Sequence, residues 1–346
     1  MNTLDLKGMY KEELENLFLS IDENKFRTKQ VFKFIHNEKQ NDINNITVFS
    51  KNLRSKLNEF TTIRNIDIVE VLSSKIDKTK KFIIRLYDNN IIEAVYMESK
   101  TNNTICISTQ VGCRMSCDFC ASTKSGFKRN LSASEMLSEV YEVEKHMGKR
   151  IDNIVLMGIG EPFDNFDNVI RFIKLINDPD GHNTGIRNIT LSTCGIVDGI
   201  RKLADTGLQV NLAISLHNAI QSERENIMPI AKANKLTDLK SALEYYQEKL
   251  NRRISYEYVI LKDENDSYDH ARAVKSMCAG LDAHVNLIPL NKIEEYNKKP
   301  VDDKDIERFK EKLDDLGINS TIRRKQGVDI EAACGQLRNK YELFTR

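Results

Sequence analysis

From residue 104 onward, short apolar runs of strand length alternate with helical stretches, and this alternation narrows the fold more than any other feature. Strand-like runs stand at 104–108, 154–157, 188–192, 210–215, 254–261, 284–289 and 320–323, with helical spacing at 168–176, 236–250 and 303–316. Strands that return through helices lie parallel, because a parallel pair needs a long crossover. Six or so such units predict an α/β fold, a full or partial (β/α) barrel. Ser132 and Glu135 form a capping-box signature for a further helix that runs through Met136, Val140, Val143 and Met147 to Gly148. Residues 1–75 read as helical, with Val31, Phe34 and Ile35 at helical spacing among Lys25, Arg27, Lys29 and Lys33. On composition alone those charges are a solvated helix face. Runs at 81–87 and 91–97 flank Asp88, Asn89 and Asn90 and read as a β-hairpin.

Ahead of the first parallel return stand Cys113, Cys117 and Cys120, three cysteines in eight residues with the spacing C-x3-C-x2-C. An iron–sulfur cube takes four ligands, normally cysteine thiolates. Three thiolates leave one iron open for a small molecule such as S-adenosylmethionine (SAM). A Cys3His zinc site would need a fourth ligand at a short, regular distance, and the nearest downstream histidine, His146, lies on a predicted helix. A ferredoxin would need a fourth nearby cysteine. Three small buried residues falling together by chance is the remaining reading.

The rest of the composition sets wide bounds. The 346 residues are 40% hydrophobic and 30% charged with net charge +1, which describes an ordinary globular chain. Any RNA contact must therefore come from local basic patches. The sequence shows neither a long apolar run nor an apolar leader at its start, so no membrane association is expected. Seven cysteines in such a chain point to reduced thiols and a cytoplasmic location.

Unusual residues collect where the predicted strands end. Gly158, Gly160, Glu161 and Pro162 follow one strand, Ser192 to Gly195 end another, Ser215, Leu216 and His217 a third, and Asn291 follows Pro289. In a (β/α) barrel these strand ends share one rim, where active sites are built. Taken singly, the glycines make a turn, Ser192 caps a helix and His217 is a structural histidine. Their shared placement favours ligand contact, with Glu161 available to an ammonium group. Cys106 precedes the triplet, and Cys334 follows the last strand beside Gly335, near Arg323, Arg324 and Lys325. Cationic neighbours lower a thiol pKa and make a nucleophile. Cys194 and Cys278 read as small buried hydrophobes.

The runs Gln-Val-Gly-Cys at 110–113 with its two further cysteines, Met-Gly-Ile-Gly-Glu-Pro at 157–162, Leu-Ser-Thr-Cys-Gly at 191–195, Ile-Ser-Leu-His at 214–217 and Ala-Ala-Cys-Gly-Gln-Leu at 332–337 resemble the dual-specificity radical SAM RNA methyltransferases of the RlmN/Cfr family. The likeness covers nearly the whole chain, including Lys-Phe-Arg-Thr-Lys-Gln-Val at 25–31. It implies a partial (β/α) barrel radical SAM core over 99–346, a small N-terminal helical accessory (RNA-binding) domain over 1–75 and a β-hairpin linker over 76–98. Cys113, Cys117 and Cys120 would hold one [4Fe-4S] cluster. Gly160, Glu161, Ser192, Ser215, Leu216, His217 and Asn291 match SAM-contacting positions. Cys334 matches the cysteine that accepts a methyl group from one SAM. A second SAM supplies a 5′-deoxyadenosyl radical, and the activated methyl then adds to adenine. Cys106 matches the cysteine that releases the product through a transient disulfide, and Glu93 the proton acceptor.

Pro162 and Val111 favour the RlmN-type branch, which methylates C2 of adenosine 2503 in 23S rRNA and of adenosine 37 in some tRNAs, over the Cfr-type branch acting at C8. The segment 292–300 departs from the family's pattern of proline following asparagine. An electron donor such as flavodoxin or ferredoxin and a monomeric state are expected. Two other classes stay open: a radical SAM enzyme with a non-RNA substrate, and a non-catalytic RNA-binding or redox protein with a structural cluster.

Overall fold

Two kinds of connection build the central sheet. The computed structural model describes residues 3–291, 293, 296, 298 and 301–338. Short turns join Asp67–Ser73 (β1), Lys80–Arg85 (β2), Ile91–Glu98 (β3) and Asn103–Cys106 (β4) into an antiparallel meander. Beyond β4 the longer connections each hold at least one helix. The strands Asn153–Leu156 (β5), Ile189–Thr193 (β6), Asn211–Ser215 (β7), Ile254–Ile260 (β8), Ala283–Pro289 (β9) and Ser320–Ile322 (β10) then add in parallel. Spatial order therefore follows chain order from β1 to β10. The edge strands β1 and β10 do not pair, so the sheet is an open, partial barrel.

The helical patterns hold. Ala133–Met147 begins with the Ser132/Glu135 capping box and ends at Gly148 in the left-handed conformation, where a side chain would be strained. Phe166–Asn177, Leu236–Leu250 and Asp303–Asp315 occupy the other expected stretches. Apolar residues on these helices cover the parallel strands, and β8 is buried along nearly its whole length. Double-sided burial is the usual state of a parallel sheet. No helix among the described residues is long and apolar enough to cross a membrane.

At the N-terminus, Lys11–Ser20, Arg27–His36 and Lys51–Phe60 form the expected helices, and Leu4–Asp5 pairs with Thr61–Thr62. The helical reading of 1–75 runs too far, however, because Asp67–Ser73 is strand β1 at the sheet edge. A bulge between Ile68 and Glu70 interrupts its pairing and removes the period-two alternation that marks a strand. Several polar contacts dock the N-terminal helices on the core. Arg171 grips the Glu13 carboxylate through both terminal nitrogens at 2.5 and 2.9 Å, and Lys7 Nζ donates to Ser138 Oγ at 2.7 Å. His36 Nδ1 lies 2.9 Å from the Tyr141 hydroxyl.

His36 is fully buried, and desolvation with the nearby positive charge of Lys7 lowers its pKa to about 3. Once unfolded it regains its ordinary value near 6.5, so the unfolded chain binds a proton there that the folded chain refuses. The stability this group permits is whole above pH 6.5 and declines as pH falls from 6.5 toward 3. Urea titrations across that window should show the decline, with a shallower slope in His36→Gln. Tyr141→Phe, which strips His36 of its partner, should cost about 1–3 kcal/mol at pH 7.5.

Candidate active site

The parallel register of β4 to β10 places the C-terminal strand ends on one rim, where most of the singled-out residues meet. One cavity is lined by Cys113, Cys117, Cys120, Gly160, Glu161, Ser192, Ser215 and His217, with Cys334 at its border. The loop after β4 is held over this cavity by backbone bonds, with Asp118 N donating to Ile227 O at 3.1 Å and Ala121 N to Gly335 O at 2.7 Å. The three cysteines are free thiols. Burial, with the other thiols close by, holds the protons on Cys113 and Cys117, taking the Cys113 pKa up to about 12 and raising that of Cys117 well above its ordinary value.

Among the described residues no three His, Cys, Asp or Glu side chains converge on the position of a single metal ion. The three thiols instead stand around a shared space walled by Met115 and Phe119. Such a set suits a cluster of several irons better than one zinc ion. A bound cation would release the thiol protons that desolvation now retains.

Glu161 is buried and its carboxylate accepts from Cys194 N at 2.8 Å and Phe163 N at 3.0 Å. Burial nevertheless raises its pKa. No salt bridge engages it among the described residues, which suits a carboxylate awaiting an ammonium group. Gly160 has φ +113°, and a Cβ there would meet Gln110 Cβ and Thr109 Oγ1 at 2.7 Å. His217 Nδ1 accepts the Val259 N–H at 3.1 Å, and its pKa is lowered to about 3 by burial and by the Arg224 charge. The ring is thus neutral, with its remaining proton on Nε2.

Two expected contact residues stand apart from this cavity. The Leu216 side chain is buried in the core, its N–H donates to Glu257 O and its carbonyl is taken by Arg224. Asn291 lines a neighbouring pocket, where its Nδ2 donates to Cys334 O at 3.1 Å and its buried Oδ1 finds no partner among the described residues. Of the segment 292–300, residues 292, 294, 295, 297, 299 and 300 lie outside the described residues.

That neighbouring pocket is lined by Cys106, Arg323, Arg324, Lys325 and again Cys334. Cys334 therefore borders both spaces. It is exposed, while protein groups crowd its sulfur; exposure governs access, and crowding sets the direction of the pKa. Desolvation raises the thiol pKa and outweighs the lowering by Arg323, contrary to the expectation from its basic neighbours. Arg323 is occupied by Glu257 at 3.1 Å, which dilutes its effect. Cys106 is buried, and its pKa is raised by desolvation and by Cys334. Glu93 lies on β3, on the face that carries Val95 and Met97 into the pocket. Burial raises its carboxyl pKa to about 7 despite Lys81 at 3.5 Å and the Arg338 N–H at 3.1 Å.

Glu257, Arg323 and Arg224 complete the surroundings; the sequence singled out Arg323 as a cationic neighbour of Cys334 and gave Glu257 and Arg224 no role. A charged residue inside the apolar run of β8 marks Glu257 as unusual. Arg224 carries no such signal, since its burial arises from loops folding over it. Gly160→Ala should cost about 1–3 kcal/mol through strain and overpacking, read by thermal unfolding, and should also weaken SAM uptake by the folded protein.

Comparison with known proteins agrees with this geometry. Residues 4–63 match the ribosomal RNA large subunit methyltransferase N-terminal domain, and residues 107–273 match the radical SAM superfamily. The chain is 46% identical to the probable dual-specificity RNA methyltransferase RlmN of Finegoldia magna, over 97% of each chain. It is also 46% identical to the protein of the same description from Clostridioides difficile, over 97% of this chain and 98% of that one. The crystal structure of a radical SAM methyltransferase from Sphaerobacter thermophilus superposes with TM-score 0.92 at 34% identity, covering 97% of this chain and all of that one. Radical SAM membership implies a [4Fe-4S] cluster and SAM, and the three free thiols around one cavity, two of them buried and Cys120 half-buried, fit that requirement. With relatives matched from end to end and a thiol-lined rim in the expected place, the chain belongs to the RlmN family of radical SAM RNA methyltransferases.

Proposed function

We propose that this enzyme methylates C2 of adenosine, at position 2503 of 23S rRNA and position 37 of a subset of tRNAs, through a methyl group carried on Cys334. The observation that carries this reading is the position of Cys334 between two spaces, one lined by the cysteine triplet and the other by Cys106. Cys113, Cys117 and Cys120 would hold one cluster per chain, with Gly160, Glu161, Ser192, Ser215 and His217 around SAM. Leu216 and Asn291 would act from the edge, Leu216 by holding the loop and Asn291 by holding the Cys334 carbonyl. When bound, the cluster and two SAM molecules per turnover supply the methyl group and the one-electron chemistry that an unreactive aromatic carbon demands.

The chain's own residues do the rest. Cys334 carries the carbon that becomes joined to adenine. Cys106 then attacks the Cys334 sulfur; the S–S bond forms as the S–C bond breaks, and the electron pair leaves on the carbon, which a proton completes as methyl. Glu93, with a pKa near 7, takes up the proton lost from C2. Arg324 and Lys325 stand where the RNA backbone would approach. The N-terminal helices up to Phe60 would offer a further RNA surface, and the β2–β3 hairpin would link them to the catalytic barrel. A low-potential carrier such as flavodoxin or ferredoxin would deliver electrons to a monomer in the cytoplasm.

Anaerobic incubation of reconstituted enzyme with SAM, reductant and unmodified 23S rRNA fragments should yield 2-methyladenosine on mass spectrometry of the digested RNA. 8-Methyladenosine would instead place the enzyme with the Cfr-type branch. Cys334→Ala should load its cluster yet carry no methyl, and Cys106→Ala should accumulate a covalent protein–RNA species. Free product released from Cys106→Ala at the wild-type rate would refute the resolving role. Because the Glu93 carboxyl is protonated below its folded pKa, single-turnover rates should rise as pH passes upward through about 7. Glu93→Gln should lose that limb and about 100-fold or more in rate.

A further inference from the structure

Arg224 is fully buried and forms no ion pair with a carboxylate among the described residues. Its Nη2 donates to the carbonyls of Cys194 at 2.7 Å and Ser215 at 3.1 Å, and its Nε to that of Leu216 at 3.1 Å. One guanidinium thus ties together the loops after β6 and β7. Its Nη1 is buried with no partner among the described residues. Gly195 leaves room for it, since a Cβ there would come within 3.3 Å of Nη2. Cys194 and Ser215, whose carbonyls it holds, line the cavity of the cysteine triplet; burial disfavours its charge, and the thiols of Cys194 and Cys117 act in the opposite sense. A buried cation held only by carbonyls is costly unless an anion completes it. Three thiolates around a cluster would be that anion.

We propose that Arg224 is the built-in counter-charge of the iron–sulfur cluster, a positioning residue that favours its reduced state while holding the strand-end loops in place. The proposal rests on the reading that Cys113, Cys117 and Cys120 hold the cluster. One-electron reduction, with the electron drawn from a low-potential donor, adds one negative charge beside Arg224. The nearby cation stabilises that added charge more than it stabilises the oxidised state. The helix Gln221–Ile227 that carries Arg224 accepts the Asp118 N–H through Ile227 O, so the charge sits on an element bonded to the thiol-bearing loop.

The test is a redox titration of the reconstituted, full-length enzyme, poised with a low-potential reductant and read by EPR of the reduced cluster. Wild type is compared with Arg224→Lys, which keeps the charge, and Arg224→Gln, which removes it; both lose carbonyl bonds. At the wild-type midpoint, Arg224→Gln should lower the ratio of reduced to oxidised cluster about tenfold or more, a shift of about 59 mV for one electron. Arg224→Lys should stay within about threefold of wild type. An unchanged midpoint in Arg224→Gln, or an equal fall in both variants, overturns the proposal. Should Arg224→Gln take up no iron, Arg224→Lys decides: its midpoint within the stated range supports the counter-charge, and a tenfold fall or failure to hold iron refutes it. A wild type that binds no cluster would overturn the reading of the three cysteines instead.

Discussion

Hydrogen bonds between two distant backbone segments hold the candidate site together. Ala121 N donates to Gly335 O at 2.7 Å and Ser122 Oγ to Leu337 O at 2.7 Å. These bonds bind the loop of the cysteine triplet to the segment that carries Cys334. Arg338 N, one residue beyond Leu337, donates to Glu93. A single strap therefore sets Cys334 beside the cavity and covers the carboxyl of β3. Both segments emerge beyond parallel strands whose common register brings them to the same rim.

Around that strap, desolvation is the dominant electrostatic cause. It keeps the triplet thiols, Cys106 and Cys334 protonated, and it outweighs the nearest cations at Cys334 and Glu93. Among the described residues Arg224 has no anion and Glu161 no cation, and both are buried beside the loops that line one cavity.

Much of the architecture was legible from periodicity. Leu236–Leu250 lies where its apolar spacing put it, and the parallel strands fall within a residue or two of the expected runs. β1 escaped because its bulge breaks the alternation that identifies a strand. The rim residues were legible because glycine, histidine and cysteine interrupt otherwise apolar strand ends. Leu216 shows the limit of motif reading: an apolar residue within a motif faces the core, and its backbone groups are already engaged.

Local pattern was enough for the strand–helix alternation, the triplet spacing and the family likeness, because each depends on residues close together in the chain. The pairing of Cys106 with Cys334 around one pocket, the direction of the Cys334 pKa and the burial of Arg224 needed the folded chain. They depend on which distant groups share a low-dielectric space, and Coulomb and solvation energies follow distance and burial in three dimensions. Basic neighbours in sequence suggested an acidified thiol at Cys334; the packed protein around its sulfur reversed the sign.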